Sequence, residues 1–211
     1  MTRLSKLFGY GEDAFTLWAL RHSMPFILKK LKDKTVPPKC AIFYRPSFGR
    51  KGGKKSPEFG EFDAIVASTE NIYLIESKWD FLFPSKSDKI IIRKEQVLRH
   101  NILSWYITHW NRKYLDNWGN FVKENEENFR QEFNGKPIAH GDRLLVANLE
   151  FVLNIMQEYC KNFSGEENVK NVLLFFYNKN INFPPHKIPR DFEFVEIDYS
   201  QKILGNYVII K

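Results

Sequence analysis

Apolar positions change period several times along this chain of 211 residues. Between residues 11 and 23, Phe15, Trp18, Ala19 and Leu20 fall on one side of a 3.6-residue repeat, which predicts an amphipathic helix. Pro25 interrupts it or opens a second, turn-rich piece ending near Leu31. After Pro37-Pro38, residues 40–44 read as a strand and 45–57 as a Gly- and Lys-rich loop. Residues 59–67 and 71–78 are two more strands, joined through Ser68-Thr69-Glu70-Asn71. A short strand is expected at 89–92. A helix follows over 93–111, with Val97, Ile102 and Trp105 spaced for one face. Residues 112–165 read as helical, most strongly at 142–160, and strands close the chain at 172–177, 192–197 and 207–210. This order predicts an α/β or α+β sandwich with a mixed sheet. One domain over 1–211 carries a helical insert at about 112–165.

Composition narrows the class. The chain is 43% hydrophobic and 16% aromatic, which supplies a sizeable core and excludes intrinsic disorder. The most apolar stretch, 144–156, is broken by Asn148, Glu150 and Asn154, so no transmembrane helix and no membrane partner is expected. Arg3, Lys6 and Glu12 break up the N-terminus, which has no apolar region of the kind a secretory signal needs. Cys40 and Cys160 fit neither a metal spacing nor a disulfide framework, so a cytoplasmic location is expected. The net charge of +7 is placed unevenly. Residues 1–110 hold 19 Lys and Arg against 11 Asp and Glu, whereas residues 111–211 hold 13 against 14. A basic first half is compatible with nucleic acid without establishing it.

The hairpin carries the candidate chemistry. With Thr69 and Glu70 as its two central loop residues, Asp63 faces Glu76 and Glu61 faces Lys78. Side chains alternate faces along a strand, so these four share one face, whose turn end is filled by Ile65, Ala67, Ile72 and Leu74. Opposed like charges destabilise a hairpin, and at a core boundary they invite a cation. A hard divalent ion suits them, because Mg²⁺ takes oxygen ligands, one or two of them protein carboxylates. Asp63 and Glu76 are the candidate ligands, helped by the Ser77 carbonyl. Lys78 is the candidate for orienting an attacking water or stabilising charge on a phosphate.

The sequence Gly60-Glu61-Phe62-Asp63-Ala64-Ile65, with Glu76-Ser77-Lys78 following, resembles the PD-(D/E)xK nuclease superfamily. Phe62 stands where many members have proline, and the Gly-Glu-apolar-Asp portion looks most like the Holliday-junction-resolvase type. The resemblance covers about residues 10–111, with 172–177 as a further core strand. It implies a restriction-endonuclease-like core of one helix, three strands, a second helix and a strand. It also implies Mg²⁺-dependent hydrolysis of DNA phosphodiester bonds, with Mn²⁺ able to substitute. Asp63 and Glu76 would then be metal ligands and Lys78 catalytic. Glu12 matches a helical glutamate that reaches the metal in many members, although acids in a first helical turn are favoured by the helix dipole anyway. Gln96 matches a glutamine that touches the metal-bound water or a phosphate, and His100 lies four residues on, on the same face.

Arg45, Arg50, Lys51, Lys54 and Lys55 lie in a loop with no acid and with Gly49, Gly52 and Gly53 interleaved, a composition suited to gripping DNA phosphates. Trp105, Tyr106, Trp110, Tyr114 and Trp118 have the spacing of a helical core or subunit interface more than of a base-stacking surface. A homodimer is plausible, because double-strand cutters generally need two sites. The rival reading is a non-catalytic nucleic-acid-binding protein that keeps the fold.

Overall fold

The computed structural model describes residues 6–49, 53, 55–79, 90–141, 143–181, 183–204 and 207–210. Its centre is a five-stranded mixed sheet. β2 (Ala41–Tyr44), β5 (Ala64–Ala67) and β6 (Ile72–Trp79) run antiparallel to one another, and β7 (Val169–Tyr177) and β8 (Glu193–Asp198) extend the sheet parallel to β6, in the order β2-β5-β6-β7-β8. β5, β6 and β7 read as almost unbroken apolar runs because both faces of the sheet are covered.

One face packs on α1 (Glu12–His22) and α2 (Met24–Lys30), through Phe15, Ala19, Ile27 and Leu28 against Ala64, Val66, Tyr73 and Ile75. The other face carries Ile65, Ala67, Ile72 and Leu74 against α3 (Lys94–His109), α4 (Trp118–Glu132) and α5 (Leu144–Tyr159). The result is a three-layer sandwich. Trp105, Tyr106, Trp110, Tyr114 and Trp118 are all buried on this second side among Phe121 and Phe129, so the aromatic cluster is core. The helices of 112–165 therefore line the same core that α3 lines.

Two small ribbons flank the sheet. β3 (Ser47–Phe48) pairs with β4 (Gly60–Glu61), and β1 (Leu7–Tyr10) pairs with β10 (Tyr207–Ile210), which also pairs with β9 (Ile203–Leu204). The expected strand over 59–67 is thus two pieces, broken at Phe62-Asp63. Gly60 sits at φ +115, a left-handed backbone that a side chain would strain, and this lets the chain leave the ribbon and enter the sheet. Residues 90–93 are not a strand; Ile90 N–H donates to the Lys187 carbonyl instead, and residue 89 lies outside the described residues. Among the described residues no helix is long and apolar enough to cross a membrane.

Candidate active site

The hairpin register is the expected one. Ala64 pairs with Ile75 and Ala67 with Ile72, so Asp63, one residue beyond the paired stretch, falls opposite Glu76. Ser77 N–H donates to Asp63 Oδ2 at 2.7 Å across that step. The expected pairing of Glu61 with Lys78 does not occur. Glu61 has left the sheet for the ribbon with Ser47, and its carboxylate takes the Arg45 guanidinium, at 2.7 Å.

Glu76 points into the second face, where α3 presents Gln96, Arg99 and His100 at helical spacing. Arg99 Nη2 donates to Glu76 Oε2 at 2.7 Å, Lys78 Nζ donates to Oε1 at 3.1 Å, and Gln96 Nε2 also donates to Oε1. Gln96 is held in this orientation because its Oε1 accepts the Arg93 backbone N–H at 2.9 Å. Buried His100 donates through Nδ1 to Asn171 Oδ1 at 2.8 Å. Its Nε2 has no hydrogen-bond partner among the described residues and lies 3.9 Å from Glu76 Oε2. Burial would push the Glu76 carboxyl up, but His100 and the charges of Lys78 and Arg99 outweigh it and hold the carboxyl below the usual range. His100 is too far for a hydrogen bond, so the two cations, with Gln96, are the main physical cause.

Asp63 has the opposite balance. Burial and the facing Glu76 charge raise it to about 7, with Glu12 adding to the repulsion and Lys78 and the Ser77 N–H only partly offsetting it. Glu12 opens α1 beside the same strand end. Its Oε2 accepts the Trp79 N–H at 3.0 Å, and its Oε1 lies 3.9 Å from Lys78 Nζ. Burial raises Glu12 too, against the lowering effect of Lys78. Glu12, Asp63 and Glu76 therefore converge around one lysine.

Among the described residues, no group of three or more His, Cys, Asp or Glu is arranged to hold a metal ion. The fuller set expected from sequence is reduced for local reasons. The Ser77 carbonyl accepts Lys78 Nζ at 2.7 Å, and Glu12 is tied to Trp79. What remains is the facing pair, Asp63 and Glu76. It fits a hard ion, since both donors are carboxylate oxygens and, among the described residues, Asp63 makes no salt bridge of its own. An ion there competes with Lys78 and Gln96 for Glu76 Oε1.

Of the basic loop, Arg50, Lys51 and Lys54 lie outside the described residues, and Lys55 is exposed. Arg45 is committed: its guanidinium bridges Asp13 and Glu61. The loop also has an anchor that its own sequence does not contain. Buried Lys136, on the α4–α5 connection, donates to the carbonyls of Gly53, Ser56 and Glu58 at 3.0, 2.6 and 2.8 Å. Arg99 is the site residue that sequence reasoning passed over, though its place three residues after Gln96 was a usable signal. No protein-family model matches this chain, and searches of curated proteins and of solved structures find no match.

Proposed function

We propose that the protein is a metal-dependent nuclease of the PD-(D/E)xK type that hydrolyses DNA phosphodiester bonds as an endonuclease. The observation that carries this reading is geometric: half-buried Asp63 faces buried Glu76 across the hairpin with Lys78 beside it, and burial and the Glu76 charge push the Asp63 carboxyl up. Two carboxylates held together in a stable sheet cost stability unless a cation is part of the design.

Asp63 and Glu76 are the residues that would hold Mg²⁺ or Mn²⁺. A bound ion supplies Lewis-acid polarisation of the phosphate and a more acidic water. Arg99 and Gln96 fix the Glu76 carboxylate so that it cannot turn away from Asp63. Glu76 and the Ser77 carbonyl hold the Lys78 ammonium at the strand end, where it faces charge developing on the phosphoryl oxygens as water adds and one P–O bond breaks. Lys136 sets the base of the loop that carries the cations proposed to grip the backbone.

The test is incubation with a panel of branched, single-stranded and duplex DNA, with Mg²⁺ or Mn²⁺ and with chelator. Cleavage that needs the ion and is slowed about 10²–10³-fold in Lys78→Ala is expected. A panel left intact with both ions overturns the proposal.

A further inference from the structure

The ribbon formed by β1 and β10 presents an aromatic face beside the candidate site. In its register Phe8 lies opposite Ile209 and Tyr10 opposite Tyr207. Alternation puts Gly9, Val208 and Ile210 on the inner face, where Val208 is fully buried and a Cβ on Gly9 would come within 2.7 Å of Ala14 Cβ. The outer face therefore holds Phe8, Tyr10, Tyr207 and Ile209. Tyr10 is 54% exposed, and Phe8 and Tyr207 are each 47% exposed. Folding does not require three large rings to remain half in water, and their grouping marks a surface with a use.

Position and rigidity suggest what the use is. Tyr10 packs edge-on against Trp79, with ring centroids 5.5 Å apart, and leans on Tyr207 at 5.4 Å. Trp79 follows Lys78 directly, and its backbone N–H is the one held by Glu12. Gly11, at φ +88, makes the turn that puts Tyr10 two residues before Glu12. The aromatic face is thus continuous with the acidic cluster. Phe8 and Tyr10 stand two residues apart on one strand face, ~6.8 Å along it. This is the arrangement in which sheets stack successive unpaired bases. Exposed Lys6 precedes the strand, and the chain's basic excess lies in this half.

We infer that Phe8, Tyr10 and Tyr207 form a stacking platform for unpaired bases, so that the preferred substrate is single-stranded DNA or a single-stranded segment joined to a duplex. The inference rests on the nuclease reading for its cleavage consequence but not for its binding consequence. Bases in an intact duplex already stack on each other and cannot use such a platform.

The experiment measures binding of a fluorescein-labelled oligothymidylate of roughly 12 nucleotides, and of a duplex of equal length, in chelator. Wild type, Phe8→Ala, Tyr10→Ala and the ring-preserving Tyr10→Phe and Tyr10→Trp are compared, with circular dichroism melts as the folding control. Phe8→Ala and Tyr10→Ala should each weaken oligothymidylate binding about ten-fold while duplex binding stays within about two-fold. Tyr10→Phe and Tyr10→Trp should bind like wild type. Wild-type oligothymidylate affinity in a folded Tyr10→Ala protein overturns the platform, as does equal loss on both ligands. Light scattering showing a dimer that Phe8→Ala dissociates, with DNA binding unchanged, also overturns it by assigning the face to a second copy. If ring-dependent binding is found and no DNA is cut, the platform stands and the nuclease reading fails. If DNA is cut and the alanine variants bind normally, the nuclease reading stands and the platform fails.

Discussion

At the turn end of the β5–β6 hairpin, buried Asp33 accepts hydrogen bonds from the Ser68 hydroxyl, the Thr35 N–H at 2.7 Å and the Tyr73 hydroxyl at 2.8 Å. At the open end, Asp63 accepts from the Ser77 N–H and looks across at Glu76. Burial pushes both carboxyls up. The donors around Asp33 overcome it and leave that group below its ordinary value, whereas Glu76 adds to it at Asp63. The same pair of strands therefore holds one aspartate whose neighbours complete it and one whose neighbours do not. The first ties the segment after α2 to the hairpin turn. The second keeps stored repulsion that a cation or a proton relieves.

Four measurements test this contrast, taken from the largest expected effect downwards. Lys78→Ala should slow DNA cleavage about 10²–10³-fold while DNA affinity barely changes, because one cation among many adds little to binding but acts on charge that develops in the transition state. Single-turnover cleavage alongside a binding titration reads this directly, and a wild-type rate in Lys78→Ala removes the lysine from the chemistry.

Asp33→Ala should cost about 2–4 kcal/mol in urea denaturation, since the Ser68 hydroxyl, Thr35 N–H and Tyr73 hydroxyl lose their acceptor. Its cleavage rate per folded molecule should match wild type. Loss of activity at full stability would erase the distinction between the two ends.

The pH dependence of stability should have opposite signs at the two sites. Asp63 titrates higher folded than unfolded, so the folded state keeps its proton longer, and metal-free protein loses stability as pH rises from about 4 to about 7. Asp33 titrates lower folded, so its contribution is present above about 4 and is lost on further acidification. Denaturation of Asp63→Asn across this range, in chelator, should show a stability loss between pH 4 and 7 that is smaller than wild type's by about 1–3 kcal/mol. A slope shared by Asp63→Asn and wild type places the proton elsewhere. Asp63 is the informative position, because Arg99 and Lys78 already compensate Glu76.

The smallest effect is that of the ion itself. Mg²⁺ at ten times its dissociation constant should stabilise wild type by about 1.4 kcal/mol, and Asp63→Asn by much less. Equal shifts in thermal melts of the two proteins mean that the ion binds away from Asp63.

The hairpin was legible because it is local. Ser68-Thr69-Glu70-Asn71 marks the turn, the parity of the apolar positions sets the register, and Asp63 and Glu76 follow from it. The features that the sequence did not reveal all depend on distant partners. Residues 59–67 read as one strand, but Phe59 and Phe62 fill the core around Phe48 while Glu61 goes to Arg45. Arg45 looked like a free cation because neither Asp13 nor Glu61 is near it in sequence. Lys136 gave no signal, since its three acceptors are backbone carbonyls some 80 residues away. β1 was missed altogether, because only β10 at the far end of the sequence gives Leu7–Tyr10 its hydrogen-bond partners.

That last pairing also sets a schedule. Ribosomes deliver residues 7–10 first and residues 207–210 about two hundred residues later, and at roughly 5–20 residues per second the wait is some 10–40 seconds. Throughout it Leu7-Phe8-Gly9-Tyr10 is a bare apolar strand edge, the kind of segment that chaperones cover and that neighbouring nascent chains pair with. The segment leading into Glu12 thus takes its final place only after residues 207–210 have emerged to pair with it.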